Sequence, residues 1–134
     1  MGRTRILIAD NYAFALGQWC ALLEPEFEVI GTVADGVSLV EAARRLRPNV
    51  VLTDITMPGL DGVTAAERIL SAAPATRVIF VSVHADPVMV ERGLQTGASG
   101  YVLKVAAGED LIPAVRSAVR GERFVSALPS SGPS

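Results

Sequence analysis

The sequence alternates five short apolar runs with five longer stretches in which apolar residues recur every three or four positions. The short runs are rich in Val and Ile, which is typical of β-strands, and the longer spacing places apolar residues on one helical face. The predicted strands cover residues 5–9, 27–33, 50–53, 77–83 and 100–103. The first, third and fourth are almost entirely apolar, which indicates burial on both faces of a parallel sheet. The pattern therefore predicts an α/β fold, a doubly wound parallel sheet between helices.

Each of the five predicted helices has an apolar stripe that can pack on the sheet. The stripes consist of Leu16, Trp19, Cys20 and Leu23; Val40, Ala43 and Leu46; Val63, Ala66, Ile69 and Leu70; Met89, Val90, Gly93 and Leu94; and Leu111, Val115, Ala118 and Val119. Pro113 falls within the last stripe, where a proline removes a backbone hydrogen bond from a helix interior. We expect Asp110 to cap this helix, so that Pro113 lies in the first turn, where the amide is unpaired anyway.

Length and charge limit the classes of protein to which this chain can belong. A chain of 134 residues that is 50% apolar is expected to form one compact domain. The net charge of −2 gives no basis for direct binding to DNA, RNA or an anionic membrane. The single cysteine, Cys20, and the short apolar start predict a cytoplasmic protein without an internal disulfide. Residues 1–122 are expected to form the domain, and residues 123–134 a linker or tail with no output domain.

Polar residues lie at the ends of four of the five predicted strands. Asp10 and Asn11 follow the first strand, Asp54 the third and Lys104 the fifth, and Ser82 lies at the end of the fourth. In an open parallel sheet, ligands bind at the carboxyl ends of the strands, where the strand order reverses. Any one of these residues could be an ordinary turn residue, but polar residues at the ends of four strands along one edge predict a site. Lys104 is the only lysine beside eleven arginines, and a compact ammonium suits contact with a phosphoryl oxygen.

Several motifs resemble the receiver domain of bacterial response regulators. They lie in residues 6–11, 50–62 and 97–104, and residues 98–104 with the ending 120–122 are similar to the NarL/LuxR-type class. The resemblance covers about residues 4–125. It implies a flavodoxin-like, CheY-like fold with five helices and five strands in the order 2-1-3-4-5. It also implies a phosphoacceptor signalling domain that catalyses only its own phosphorylation and dephosphorylation, rather than an enzyme.

The resemblance implies roles for the residues at the strand ends. Asp54, followed by Ile-Thr-Met-Pro-Gly, matches the phosphoacceptor. Mg²⁺ would be held by Asp10, Asp54 and the backbone carbonyl of Thr56, an oxygen set that suits this ion. Lys104 would contact the phosphoryl oxygens, and its charge is expected to serve the phosphorylated state more than folding. Ser82 would donate its hydroxyl to one of those oxygens.

Asn11 departs from the family's pattern, in which a second acidic residue usually follows the first strand. An amide oxygen can still bind Mg²⁺, but the site loses one negative charge. Two interpretations therefore remain open. The domain is either switched by phosphorylation, or it is a degenerate pseudo-receiver that acts as a phosphorylation-independent protein-interaction module.

Four further residues can belong either to the site or to ordinary packing. Tyr101 matches the family's switch aromatic, which turns inward when Ser82 is drawn to the phosphate, but aromatics are common in any strand. His84 lies where the family tunes hydrolysis of the acyl phosphate, and it also suits a solvated loop; with no Cys or second His nearby, a zinc site is excluded. Trp19 and Cys20 are expected in the core or on a partner face.

The predicted function is a receiver domain that accepts a phosphoryl group from a sensor histidine kinase on Asp54 and controls an output, expected to be transcriptional. The changing surface would bind a second copy or an attached helix-turn-helix output domain. Two other classes fit less well. An aspartate-nucleophile phosphatase needs a second Asp where this chain has Thr56. A flavin-binding module needs a loop of Ser, Thr and Gly for the phosphate, and residues 10–13 read Asp-Asn-Tyr-Ala.

Overall fold

The structure is a computed structural model that describes residues 2–128. This part of the chain contains the strands β1 (Arg5–Ala9), β2 (Glu28–Val33), β3 (Val50–Thr53), β4 (Arg77–Ser82), β5 (Gly100–Leu103) and β6 (Phe124–Val125). Its α-helices are α1 (Ala13–Leu23), α2 (Gly36–Leu46), α3 (Gly62–Ala72), α4 (Pro87–Leu94) and α5 (Ala107–Val119), and a 3₁₀ turn, Lys104–Ala106, precedes α5. None of these helices is long and apolar enough to cross a membrane.

The strands form one parallel sheet in the order β2-β1-β3-β4-β5-β6. This confirms the doubly wound fold and the predicted order of the first five strands. The predicted count of five strands is wrong, because Phe124–Val125 pairs with β5 inside the stretch 123–134 that the sequence predicts to be a linker or tail. A strand of two residues is too short to show a periodic pattern. Residues 129–134 of the predicted tail lie outside the described residues, and the boundary after residue 122 stays a prediction.

Alternating side chains along β1 divide the core into two layers. Ile6 and Ile8 belong to the layer under α1 and α5, and Leu7 and Ala9 belong to the layer under α2, α3 and α4. Every residue of β3 and β5 is buried, as expected for strands that are covered on both faces. One predicted stripe residue lies outside the core, since Val119 is 52% exposed.

Aspartates fix the starts of three helices. Asp35, Asp61 and Asp86 cap α2, α3 and α4, and each side chain accepts a hydrogen bond from the backbone N–H three residues later. The expected cap of α5 is wrong, because this helix begins before Asp110 and encloses Pro113. The Asp110 carboxylate instead accepts a hydrogen bond from Ser126. Pro113 is exposed, so water can reach the backbone next to the missing hydrogen bond.

Gly62 lets α3 begin directly against the end of β3. Its backbone N–H donates to the Ile55 carbonyl over 2.6 Å. A Cβ atom at this position would lie 1.9 Å from the Asp54 carbonyl oxygen, so any side chain would push the helix and the strand apart. This contact therefore keeps the loop between β3 and α3 close to Asp54.

Candidate functional site

Three charged side chains meet at the carboxyl ends of β1, β3 and β5. The Lys104 ammonium nitrogen lies 2.7 Å from Asp10 Oδ2 and 2.8 Å from Asp54 Oδ2. The strand order reverses between β1 and β3, which is the point where ligands bind in folds of this type. The structure thus brings together three of the residues predicted for the site.

The three groups are largely shielded from water. The side chain of Asp10 is fully buried, that of Asp54 is 7% exposed and that of Lys104 is 17% exposed. Burial alone would lower the pKa of Lys104, but the attraction of the Asp54 and Asp10 carboxylates outweighs it, so the pKa is raised above its ordinary value. Two carboxylates share one ammonium, and the group therefore keeps an excess negative charge that favours a further cation.

One buried carboxylate oxygen has the Lys104 ammonium as its ion-pair partner but no aligned hydrogen-bond donor. Asp10 Oδ2 accepts no hydrogen bond from any described residue, since the nearby Lys104 ammonium is not aligned with it as a donor. Asp10 Oδ1 accepts one from the Tyr12 backbone N–H at 2.8 Å. A buried carboxylate oxygen that is held only by an ion pair suits a hard cation such as Mg²⁺, which would share this oxygen with the ammonium. Residues 2–128 contain no cluster of three or more His, Cys, Asp or Glu, so neutral oxygens or water would complete the ligand set.

Two residues predicted as neutral ligands lie beside the carboxylates. The Thr56 backbone N–H donates to Asp54 Oδ1 at 3.2 Å, which ties the loop after β3 to the carboxylate. Asn11 directly follows the buried Asp10 and is itself exposed. Ligation of a metal ion by the Thr56 carbonyl and by Asn11 stays a prediction.

Aromatic rings border the ammonium, which the sequence alone did not predict. The Lys104 nitrogen lies 5.5 Å from the centre of the Tyr12 ring and 5.6 Å from that of the Trp19 ring. These distances suit cation–π contacts. Trp19 is 5% exposed and lies in the core, one of its two predicted positions, whereas Cys20 is half-buried. The apolar stripe of α1 gave no sign that Trp19 also reaches the site.

The backbone of His84 connects the two residues predicted to switch. Its N–H donates to Ser82 Oγ at 3.0 Å, and its carbonyl accepts a hydrogen bond from the Tyr101 hydroxyl at 2.8 Å. Tyr101 is fully buried, so its ring occupies the inward position, and burial raises the pKa of its phenol. The His84 ring nitrogen Nε2 lies 3.4 Å from Thr56 Oγ1. His84 thus contacts the loop after β3 as well as both predicted switch residues.

A cavity of about 160 Å³ lies between the ends of β4 and β5. Its lining includes Ser82 and Lys104 together with Val83, Ala85, Leu103 and Val105. A hydroxyl and an ammonium on the wall of one small cavity suit the oxygens of a phosphoryl group. A larger cavity of about 620 Å³ lies against α2 and α3 and contains none of the residues at the strand ends.

A carboxylate pair and a lysine at the switch point of a five-helix doubly wound sheet define a protein of the receiver class. Residues 6–116 match the model of the response regulator receiver domain, and the chain belongs to this family. This confirms the family that the motifs predicted.

Comparison with known proteins supports the NarL/LuxR-type class. The chain is 37% identical to the transcriptional regulatory protein DegU of Brevibacillus brevis over 121 residues, which are 90% of this chain and 51% of DegU. The receiver domain of the response regulator NarL from Mycobacterium tuberculosis is 29% identical, with a TM-score of 0.86 over 91% of this chain and 100% of that one. A chain of the CheX–CheY complex with beryllofluoride and Mg²⁺ from Borrelia burgdorferi is 27% identical, with a TM-score of 0.79 over 87% of this chain and 89% of that one. The chain spans about half the length of the curated relatives it matches.

Proposed function

We propose that Asp54 accepts a phosphoryl group from a sensor histidine kinase and that the phosphorylated domain controls a transcriptional output. The observation that carries this proposal is the pair of contacts from the Lys104 ammonium to Asp54 and Asp10. A lysine held against a nearly buried carboxylate at a strand end places a fixed positive charge where a charged group is transferred.

Asp54 is the nucleophile of the proposed reaction. One of its carboxylate oxygens forms a bond to phosphorus while the bond from phosphorus to the histidine nitrogen of the donor breaks, and the electron pair leaves with that nitrogen. The transferred group is loosely bonded and carries its charge on the outer oxygens, so positioning and nearby cations supply most of the catalysis. Lys104 provides one such cation beside Asp54 Oδ2, and the Thr56 N–H orients Oδ1.

Asp10, Asp54 and the Thr56 carbonyl are the residues that would hold Mg²⁺. The ion, when bound, supplies positive charge to the phosphoryl oxygens. The buried Asp10 oxygen without a hydrogen bond supports this assignment, and so does the Mg²⁺ in the CheX–CheY complex. Asn11 is neutral, so we expect weaker binding of the ion than a second carboxylate would give.

Ser82 and Tyr101 form the proposed switch. In this structure the Ser82 oxygen accepts a hydrogen bond from His84, and the Tyr101 hydroxyl donates to the same residue. A phosphoryl group on Asp54 offers the Ser82 hydroxyl a charged acceptor, and the accompanying movement of His84 reaches Tyr101 directly. The phosphoryl group shifts the equilibrium only by its different affinity for the two arrangements.

The output is proposed to be a helix-turn-helix DNA-binding domain of the parent protein, or a second copy of this chain. Support comes from relatives such as DegU, a transcriptional regulator of which the chain spans about half. The net charge of −2 gives this domain itself no basis for binding DNA. A cytoplasmic location follows from this role.

Intact mass after incubation with acetyl phosphate and Mg²⁺ tests the proposal. The natural chain should gain one phosphoryl group, and Asp54→Asn should gain none. Asp61→Asn, at an exposed helix cap, is the matched control and should be phosphorylated normally. Uptake that survives Asp54→Asn would show that the phosphoacceptor is another residue. A natural chain that gains no phosphoryl group would favour the pseudo-receiver interpretation based on Asn11.

A further inference from the structure

The chain that follows α5 returns to the sheet beside the site. Phe124 and Val125 pair with Gly100 and Tyr101 of β5. The next residue, Ser126, donates its backbone N–H to the Tyr101 carbonyl at 2.9 Å and is 2% exposed. A serine buried to this degree needs partners for its hydroxyl.

The Ser126 hydroxyl bridges the end of β5 and the first turn of α5. Its oxygen accepts a hydrogen bond from the Leu103 backbone N–H at 3.1 Å, and its proton is donated to Asp110 Oδ2 at 2.6 Å. The bond to the carboxylate is charge-assisted and therefore stronger than a bond between neutral groups. Residues 104–109 lie between the two bridged positions, and they comprise the 3₁₀ turn that begins at Lys104 and the first three residues of α5.

Lys104 depends on this turn for its position. It directly follows Leu103 and begins the 3₁₀ turn, and the residue before α5, Ala106, has no side chain that could cap the helix. The ammonium must nevertheless be held close to oxygens that follow two other strands, at 2.7 Å from Asp10 and 2.8 Å from Asp54. The Ser126 bridge fixes the backbone from which the side chain starts.

We propose that Ser126 and Asp110 are positioning residues for Lys104, so that the segment after α5 helps to build the phosphoacceptor site. The proposal deepens the proposed function, because it concerns the lysine assigned there to the phosphoryl oxygens. Under this proposal, a residue beyond the last α-helix helps to determine the geometry of the proposed reaction site.

Chemical labelling tests this proposal in the resting protein. Lys104 is the only lysine, so acetylation by an amine-reactive ester, followed by peptide mapping, reports on its ammonium alone. In Ser126→Ala and in Asp110→Ala we expect labelling of Lys104 to be about tenfold faster, because a displaced turn releases the ammonium from the two carboxylates. Ser126→Thr keeps the hydroxyl and should return the rate toward that of the natural chain.

Ser38→Ala is the matched control. Ser38 also donates its hydroxyl to an aspartate, Asp35, at 2.9 Å, but this pair lies at the start of α2 beside the opposite edge of the sheet. Its loss should leave the labelling rate of Lys104 unchanged. Equal acceleration in Ser38→Ala and Ser126→Ala would show that general loosening of the fold exposes the lysine, and would overturn the proposal.

A double-mutant cycle tests the proposal in the reaction. With acetyl phosphate and Mg²⁺, Ser126→Ala should slow phosphorylation about tenfold in the natural background and leave the rate unchanged in the Lys104→Met background. Equal slowing in both backgrounds would mean that Ser126 acts independently of Lys104, which contradicts the proposal. If the natural chain accepts no phosphoryl group, the proposed function fails, and the labelling rates still decide whether Ser126 positions the lysine.

Discussion

Replacing Lys104 by Met tests how the site is held together before any phosphoryl group is present. The substitution keeps most of the length and the apolar stem of the side chain but removes the charge that Asp10 and Asp54 share. From the sequence alone, the lysine is expected to matter for signalling more than for folding. The two ion pairs instead predict that it also stabilises the resting fold.

The size of the effect follows from the distances and the burial. At 2.7 and 2.8 Å each pair attracts by about 6 kcal/mol if the effective dielectric constant is near 20, and desolvation cancels much of this gain. The cost of removing the lysine has a ceiling, because an unpaired carboxylate can take up a proton. At pH 7 this costs about 4 kcal/mol for a carboxyl group of reference pKa near 3.9. We therefore expect the free energy of unfolding to fall by about 2–4 kcal/mol.

Urea unfolding at pH 7, with and without saturating Mg²⁺, measures this loss. A bound Mg²⁺ ion would supply positive charge to the same carboxylates, so it should restore a large part of the stability of Lys104→Met. Arg116→Met is the matched control, because it breaks an ion pair with Glu26 whose side chains are 54% and 37% exposed. The control should lose little stability relative to the natural chain. That small loss should be the same with and without Mg²⁺.

The pH dependence of the stability provides a second check, because the direction of the change follows from the pKa of Lys104. The pKa of Lys104 is raised in the folded chain, so its stabilisation is complete below the ordinary lysine pKa of about 10.4 and is lost as pH rises through the higher folded value. The difference in stability between the natural chain and Lys104→Met should therefore persist at neutral pH and shrink in more alkaline solution. A variant as stable as the natural chain in Mg²⁺-free buffer would refute the reasoning, and so would a loss that Mg²⁺ leaves untouched.

Four further substitutions each test the environment of a single position. Asn11→Asp should tighten Mg²⁺ binding by about 1 kcal/mol, roughly fivefold, in a titration followed by Trp19 fluorescence; equal affinities would contradict a role for this position in holding the ion. Gly62→Ala should lower the free energy of unfolding by about 2–4 kcal/mol, because its Cβ would lie 1.9 Å from a backbone oxygen. Gly17→Ala, which meets nothing within 4 Å in α1, should raise that free energy by about 1 kcal/mol. Pro113→Ala should raise it by about 1–3 kcal/mol by restoring a helical N–H at an exposed position, and an unchanged urea midpoint would show that α5 is already relaxed around the proline.

The fold was predictable where the chemistry repeats along the chain. Continuous apolar runs identified β3 and β4, because a strand covered on both faces has no polar side. The convergence of Asp10, Asp54 and Lys104 followed from their places at strand ends, once the resemblance supplied the order of the strands. These inferences depend on local patterns and on one rule of topology.

The remaining features depend on contacts between distant residues. Asp110 has the chemistry of a helix cap, but Ser126 competes for its carboxylate, and nothing near Asp110 in sequence reveals that partner. The short strand containing Phe124 has no periodic pattern to detect. The Trp19 ring lies close to the Lys104 ammonium. The helical stripe predicts only that Trp19 packs on the sheet, and the strand pattern predicts only that Lys104 lies at a strand end, so neither pattern predicts this contact.

The sixth strand also affects how the molecule behaves among copies of itself. β5 is entirely buried and is apolar apart from a tyrosine hydroxyl. Three hydrogen bonds pair its outer backbone: the Phe124 N–H donates to the Ser99 carbonyl, the Ser126 N–H donates to the Tyr101 carbonyl, and the Leu103 N–H donates to the Ser126 hydroxyl. An unpaired strand of this composition is a template for strand-to-strand aggregation. With β6 in place, this side of the sheet ends in a strand of only two residues. The segment that borders the candidate site therefore also protects the protein from aggregating through β5.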